Sequence, residues 1–376
     1  MTTYPGSGYL KYLRHHLRIL HFLKCFRLEL SPDQGEDRII VSRSKLKKYV
    51  TWFSTLFDLV YLSCAMTVVR NDWKNGCLGK TAEGAMIVII IVLLTIWSFG
   101  VNPDTKAMSV INSDLQFSKK FQAANYKKLR TDNFLEGLMF IVSIVGLASA
   151  FLIVGRILLN HCASPFLGAY FLECPPCSGW NPRVEYVTWF AMIMLDFWLV
   201  FSLAHKGFFY PVHVVFATTG RVVGYLEVIG KSSVERLNLY RSVQILEAQL
   251  NDYSRIRVLP AFMSGGPFVE VLSLFVLIKL HDQIPLPGVV LFLEGFITAA
   301  SALIVYETVA AIVNTKSVRI IGAWKGQFCR SKIKRREVTS LKPLMIKFGS
   351  SFIDKGTPLI TQNFCITQTV SMLLMK

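Results

Sequence analysis

Acidic residues are scarce in this chain: 24 Asp and Glu stand against 41 Lys and Arg in 376 residues, a net charge of +17. In a soluble protein that excess would point to nucleic acid. Here 52% of the residues are hydrophobic and fall in blocks with the basic residues between them, which describes a polytopic membrane protein and no nucleic-acid partner. An opening secretory signal is also lacking. Met1 to Lys48 is studded with cations and has no uninterrupted apolar core, so the first span is expected to serve as the insertion signal. No N-x-Ser/Thr glycosylation acceptor occurs. No G-x-x-x-x-G-K-Ser/Thr run is present to cradle a nucleotide. The eight cysteines show no zinc spacing, and Cys174-Pro-Pro-Cys177 resembles a redox pair only superficially. Asp58, Glu136, Asp196, Glu270 and Glu307 share no defined spacing, so neither a metal site nor a general acid/base pair is indicated. No cofactor and no enzymatic activity are expected.

What is present is a series of spans. Apolar blocks predict helices at about Val50–Val69, Ala85–Val101, Phe134–Val154, Val187–Leu203, Leu259–Leu280 and Leu286–Val313, with Thr357–Met375 as the seventh. Ahead of them, residues 8 to 28 place Leu10, Leu13, Leu17 and Leu20 at helical spacing among cations, as in a helix lying on the membrane surface or against a partner helix. Ser31 to Asp37 reads as polar linker. Between spans four and five, apolar residues recur among charges from Val222 to Val258, predicting amphipathic helix that extends into the cytoplasm over residues 205–258. His205 and His213 fall at the inner interface and read better there than as ligands.

The connections set the orientation. Lys and Arg number ten up to Tyr49, six in 102–133, seven in 205–258 and nine in 314–346. The alternate connections hold three in 70–83, two in 156–185 and none in 281–285. Positive loops stay inside, which puts the N-terminus in the cytoplasm and the C-terminus outside. On that orientation Cys162, Cys174 and Cys177 share one extracellular loop, where a disulfide is plausible, with Cys77 as a further partner. The layout is the reverse of a G-protein-coupled receptor, and neither an Asp/Glu-Arg-Tyr end to span three nor an Asn-Pro-x-x-Tyr in span seven exists. A secondary transporter would show repeated halves, which an odd number of spans does not supply.

The last stretch divides the chain into three parts: a cytoplasmic segment 1–49, six spans over 50–313, and 314–376. In the last part, a cationic amphipathic piece (Leu341 to Lys347) and a hinge with Gly349 and Gly356 precede the final helix. At 100° per residue, Asn363, Thr367, Ser371, Leu374, Phe364, Met375, Gln368 and Thr361 fall on one arc, and Cys365, Leu373, Ile366 and Val370 opposite. Polar side chains at membrane depth face other helices or a water-filled path, since lipid cannot satisfy them. Interhelical hydrogen bonding and pore lining are both open.

Lys342-Pro343-Leu344-Met345-Ile346-Lys347-x-Gly349 resembles the Lys-Pro-hydrophobic-basic-x-Gly pattern ahead of the last helix in the arthropod gustatory and odorant receptor superfamily. The tail Thr367 to Lys376 resembles that family's ending more loosely. Thr367 and the length match, while Gln368 stands for Tyr, Leu374 for Gln and Met375 for Phe. The motif covers about 35 residues of a layout that agrees throughout, as in a divergent gustatory-like member. The resemblance implies an all-α membrane protein with seven transmembrane helices in the plasma membrane. Its last helix is split into a cytoplasmic part and a pore-lining part, and four like or unlike subunits surround the pore. Thr367, Gln368 and Ser371 would line water, with Leu374 and Met375 as an outer constriction.

It also implies a small-molecule pocket in the outer half of the bundle. Span four offers Tyr186, Trp189, Phe190 and Met194 there, and span six offers Phe292, Glu294 and Phe296. Aromatic walls beside few polar groups suit a small organic ligand, with membrane lipid around the bundle. An accessory subunit that does not conduct alone is the alternative raised by the departures in the tail.

Overall fold

Backbone in lipid must satisfy its own hydrogen bonds, so apolar blocks of spanning length can only become helices. In the computed structural model they do. The described residues are 7–33, 36–99, 104–123, 130–160, 162–172, 174–175, 177, 186–230, 237–327 and 332–375. The expected end of span two at Val101 and the terminal Lys376 lie outside them.

The chain opens with α1 (Ser7–Phe22) and a two-stranded antiparallel hairpin, β1 (Leu28–Asp33) and β2 (Glu36–Val41). The hairpin corrects the expectation of a polar linker over Ser31 to Asp37. Ile39 is buried, and its N–H and C=O both bond to the amide of Asn112, at 2.8 and 2.9 Å. There follow α2 (Lys45–Lys74), α3 (Leu78–Ser98), α4 (Thr105–Ala123), α5 (Arg130–Leu159), the short α6 (Leu167–Phe171) and α7 (Tyr186–Phe209). A π-helical stretch, Tyr210–Phe216, joins α7 to α8 (Ala217–Gly230) without a break. Pro211, which lacks an N–H, opens that wider turn. Then come α9 (Leu237–Ser254), α10 (Val258–Lys279), α11 (Leu286–Gln327) and α12 (Lys332–Thr339). The small hairpin β3 (Lys347–Phe348) and β4 (Ser351–Phe352) leads into α13 (Thr357–Leu374).

Among the described residues, six helices are long and apolar enough to cross a membrane: α2, α3, α5, the α7–α8 rod, α10 and α11. With α13 they make the expected seven. The largest core cluster lies where α1, α4, α8 and α9 meet the ends of the spans, with Leu13, Leu20, Val110, Val214, Leu226, Val243 and Leu250 fully buried. The α1 helix therefore corrects its surface-lying reading. Leu13, Leu17 and Leu20 are buried against this chain's own α5 and α7, not in lipid or a foreign helix.

Three buried acid–base pairs join elements of the bundle. Lys206 of α7 meets Asp58 of α2, and Arg156 of α5 meets Glu83 of α3. Arg221 of α8 contacts Asp114 of α4 at 2.8 Å, and the Tyr225 hydroxyl donates to the same carboxylate at 3.0 Å. Two disulfides, Cys77–Cys177 and Cys162–Cys174, tie the loop after α5 to itself and to the start of α3. The expected cysteine set is joined in full.

Candidate functional site at the last helix

The cationic amphipathic segment Leu341–Lys347 is extended. Pro343 biases the residue before it away from helix. Leu344 and Ile346 are then buried with the two-residue alternation of a strand. The strap lies between α9 and α11, and side chains on those helices hold its backbone. Tyr240 Oη and Gln244 Nε2 donate to the Lys342 carbonyl at 3.0 and 2.8 Å. Asn314 Nδ2 donates to the Leu344 carbonyl at 3.0 Å, and the Leu344 N–H donates to Ser317 Oγ at 3.0 Å. Asn251 clasps both sides of residue 346, donating to the Met345 carbonyl at 2.8 Å and accepting from the Lys347 N–H at 2.9 Å. Beside it, burial pushes the Glu247 carboxyl above its ordinary range, against the opposing effect of the Met345 N–H.

After the strap the chain turns at Gly349, whose φ of +54° belongs to the left-handed region that favours glycine. Asp354 then organises the entry to α13. Its Oδ1 accepts from the Thr357 N–H at 2.9 Å, the Thr357 hydroxyl at 2.8 Å and the Gly356 N–H at 3.0 Å. These bonds, the Thr357 side chain first, hold the carboxyl below its usual range. Pro358 sits in the first turn, where its missing N–H costs nothing.

One face of α13 packs on α10 and α11. Cys365 and Thr369 are buried there. Thr361 Oγ1 donates to Glu307 Oε1 of α11 at 2.8 Å, and Gln362 Nε2 donates to Glu270 Oε2 of α10 at 3.3 Å. At the other end, Lys279 Nζ donates to the Met375 carbonyl at 2.7 Å. The expected arc is therefore shifted: Thr361 turns inward to a carboxylate, and Cys365 lies inward as the wheel has it. Asn363, Thr367, Gln368, Ser371, Leu374 and Met375 are all exposed on the outer side. Ser371 returns its hydroxyl to the Thr367 carbonyl at 2.9 Å, the local bond open to a serine with no other partner.

The expected pocket residues are spread more widely. Tyr186, Phe190 and Met194 are exposed on α7, and Trp189 is half-buried, its ring 6.5 Å from that of Tyr186. Phe292 is wholly buried in a satellite core with Met86, Val269, Val276, Leu280 and Ile284. Glu294 of α11 accepts a hydrogen bond from Ser149 of α5, and Phe296 is half-buried one turn from Phe292. The inward-facing carboxylates Glu270 and Glu307 and the residues that grip the strap were not singled out as site residues from sequence. For the grip, the two-residue alternation after Pro343 was the available signal.

Together these elements define an all-helical, multi-span membrane fold whose last helix stands at the edge of the bundle on a braced strap. The insect olfactory receptor OR5 from Machilis hrabei has a similar overall fold. Its structure in complex with eugenol superposes with a TM-score of 0.64, covering 99% of this chain and 100% of that one at 11% identity. A second structure of that receptor gives 0.55, covering 98% of each chain at 12% identity. No family profile and no curated protein sequence matches the chain. The chain has the fold of an insect olfactory receptor.

Proposed function

We propose that this protein is a chemosensory receptor of the insect gustatory and odorant type, acting as a ligand-gated cation channel in the plasma membrane. Four like or unlike subunits would close around an axis lined by α13. The observation that carries the reading is the outward face of α13. Thr367, Gln368 and Ser371 are exposed in the single chain, within a helix of spanning length, where lipid offers their polar groups nothing. Further copies of the chain and a water-filled axis satisfy them. Leu374 and Met375, 77% and 69% exposed, would then meet their counterparts near the outer mouth and close it by dewetting. The two disulfides suit an oxidising exterior for that end of the bundle, in agreement with the charge of the loops.

The ligand would be a small organic molecule held in the outer half by Trp189, Phe296 and Glu294. Tyr186, Phe190 and Met194 would close around it, and Phe292 would support the floor from the core. The OR5 complex holds eugenol, a compound of that description.

Cross-linking tests the assembly. A Ser371→Cys variant should form inter-subunit adducts in intact cells, and a C-terminal tag should be reached by antibody from outside. Replacing Leu374 and Met375 together by Ala should produce leak current without ligand. Unchanged closed-state conductance, with no adducts at position 371, would overturn the pore. Adducts without current from the chain expressed alone would favour an accessory subunit.

A further inference from the structure

The cytoplasmic end of the α7–α8 rod carries a histidine pair that nothing in the pore reading uses. His16 of α1 and His213 of the π-helical stretch meet ring to ring, Nδ1 to Nε2, at 2.8 Å. His16 Nε2 lies 3.1 Å from the His205 carbonyl. A carbonyl only accepts, so His16 Nε2 carries a proton. If both rings are neutral, His16 Nδ1 is bare and accepts, and His213 Nε2–H donates. Every nitrogen is then accounted for except His213 Nδ1, which is buried without a hydrogen-bond partner.

That arrangement leaves no room for another proton. The two rings have four nitrogens, and two of them share one hydrogen, so the pair holds three protons at most. The first sits on His16 Nε2 and the second between the rings. The third can only be on His213 Nδ1, whichever ring bears the charge. There it would be a buried cationic N–H with no acceptor, in a residue 2% exposed.

The surroundings offer no remedy. The rings of Tyr9 and Phe209 pack on His213, and that of Phe209 also on His16. Two carboxylates on the packed elements are committed: Asp58 to Lys206 of α7, and Asp114 to Arg221, which also stacks over Tyr9 at 4.2 Å. The α1 helix also carries Arg14 and the further imidazole His15, and α5, which packs on α1, carries Glu136. Burial, and after it the neighbouring His205, hold the His16 imidazole down at about 3.

We propose that His16 and His213 form a proton-sensitive latch: neutral, they fasten α1 to the π-helical turn, and uptake of a proton releases it. In the orientation proposed above, the acid is sensed from the cytosol. The latch joins the N-terminal helix to the one irregular turn in a 45-residue rod, and π turns are frequent at functional sites.

The sign follows from linkage. A histidine held neutral in the folded state contributes stability that is present above its unfolded value of about 6.5 and is lost as pH falls below it. The test uses the full chain in nanodiscs, with thermal melting followed between pH 7.5 and 5.5. Spin labels at Arg18→Cys on α1 and Arg241→Cys on α9, both exposed positions, report the distance across the same range. The wild-type melting temperature should fall by about 2–5 °C, and the label distance should lengthen or broaden. His213→Gln should at least halve the fall, because a Gln amide can turn to offer a donor or an acceptor to His16. His205→Gln should keep the greater part of the fall, because the latch uses only the backbone carbonyl of residue 205, and should lose only the share that the half-buried ring beside His16 adds. A pH-independent label distance in the wild type, or an undiminished fall in His213→Gln, would overturn the latch. Should His213→Gln not fold, the wild-type distance decides alone. Neither readout needs current, so a failed pore leaves this test standing.

Discussion

Two sets of buried carboxylates in this protein are handled differently. Asp58, Glu83 and Asp114, which join α2, α3 and α4 to the rest of the bundle, each meet a lysine or arginine. Glu270 and Glu307, which face α13, meet an amide and a hydroxyl. Among the described residues no cation pairs with either. Nearby amines are engaged elsewhere: Lys279 with the Met375 carbonyl, and Lys316 with Glu227. A buried ion pair fixes one geometry, because separating it strands two charges. A hydroxyl or amide bond costs far less to exchange for another partner or for water. The bundle is thus pinned by contacts that do not trade, and the last helix is held by contacts that do.

The contrast can be broken most sharply at Asp114. Arg221→Met takes the guanidinium away from a buried carboxylate and should cost about 3–5 kcal/mol, read as a large loss of folded protein in a melting assay. Adding Asp114→Leu should recover much of it. Removing the Cys77–Cys177 disulfide by double serine substitution should cost about 2–4 kcal/mol and lower surface expression, with little change in the opening of the molecules that arrive. At α13 the pattern should reverse. Thr361→Val should cost about 1–3 kcal/mol while shifting the ligand concentration for half-maximal current. If its effect were confined to expression, the last helix would be as fixed as the others. The smallest effect is expected at Glu247→Gln. That carboxyl is pushed up by burial, so its contribution is full at acid pH and lost as pH rises through its raised value. The variant should flatten the stability profile in the window that starts at the ordinary carboxylate value and ends at the raised one, opposite in sign to the histidine pair.

Much of this fold was legible because each span is a local hydropathy signal. The helix over 286–327 starts at the residue expected, and the seventh ends within one residue of it. The hairpin at Leu28–Val41 was hidden because its stability comes from Asn112, about 70 residues away, and its own six-residue strands signal little. Partner choice was hidden for the same reason. Nothing near Asp58 in sequence points to Lys206, and nothing near Glu307 points to Thr361. The helical wheel placed Thr361 on the outer arc because it ranks residues by polarity, whereas a hydroxyl turns inward once a carboxylate waits there. The motif at Lys342–Gly349 was legible as a pattern, yet its cause, a backbone held by α9 and α11, is a tertiary fact.

The strap has a mechanical consequence. Tyr240, Gln244, Asn251, Asn314 and Ser317 each grip a particular peptide group of residues 342–347. Sliding the strap by even one residue would orphan most of those groups at once. It therefore works as an anchored fulcrum. Any swing of the final helix must be taken up beyond it, between Gly349 and Gly356, and delivered as a lever stroke whose amplitude grows toward Leu374 and Met375.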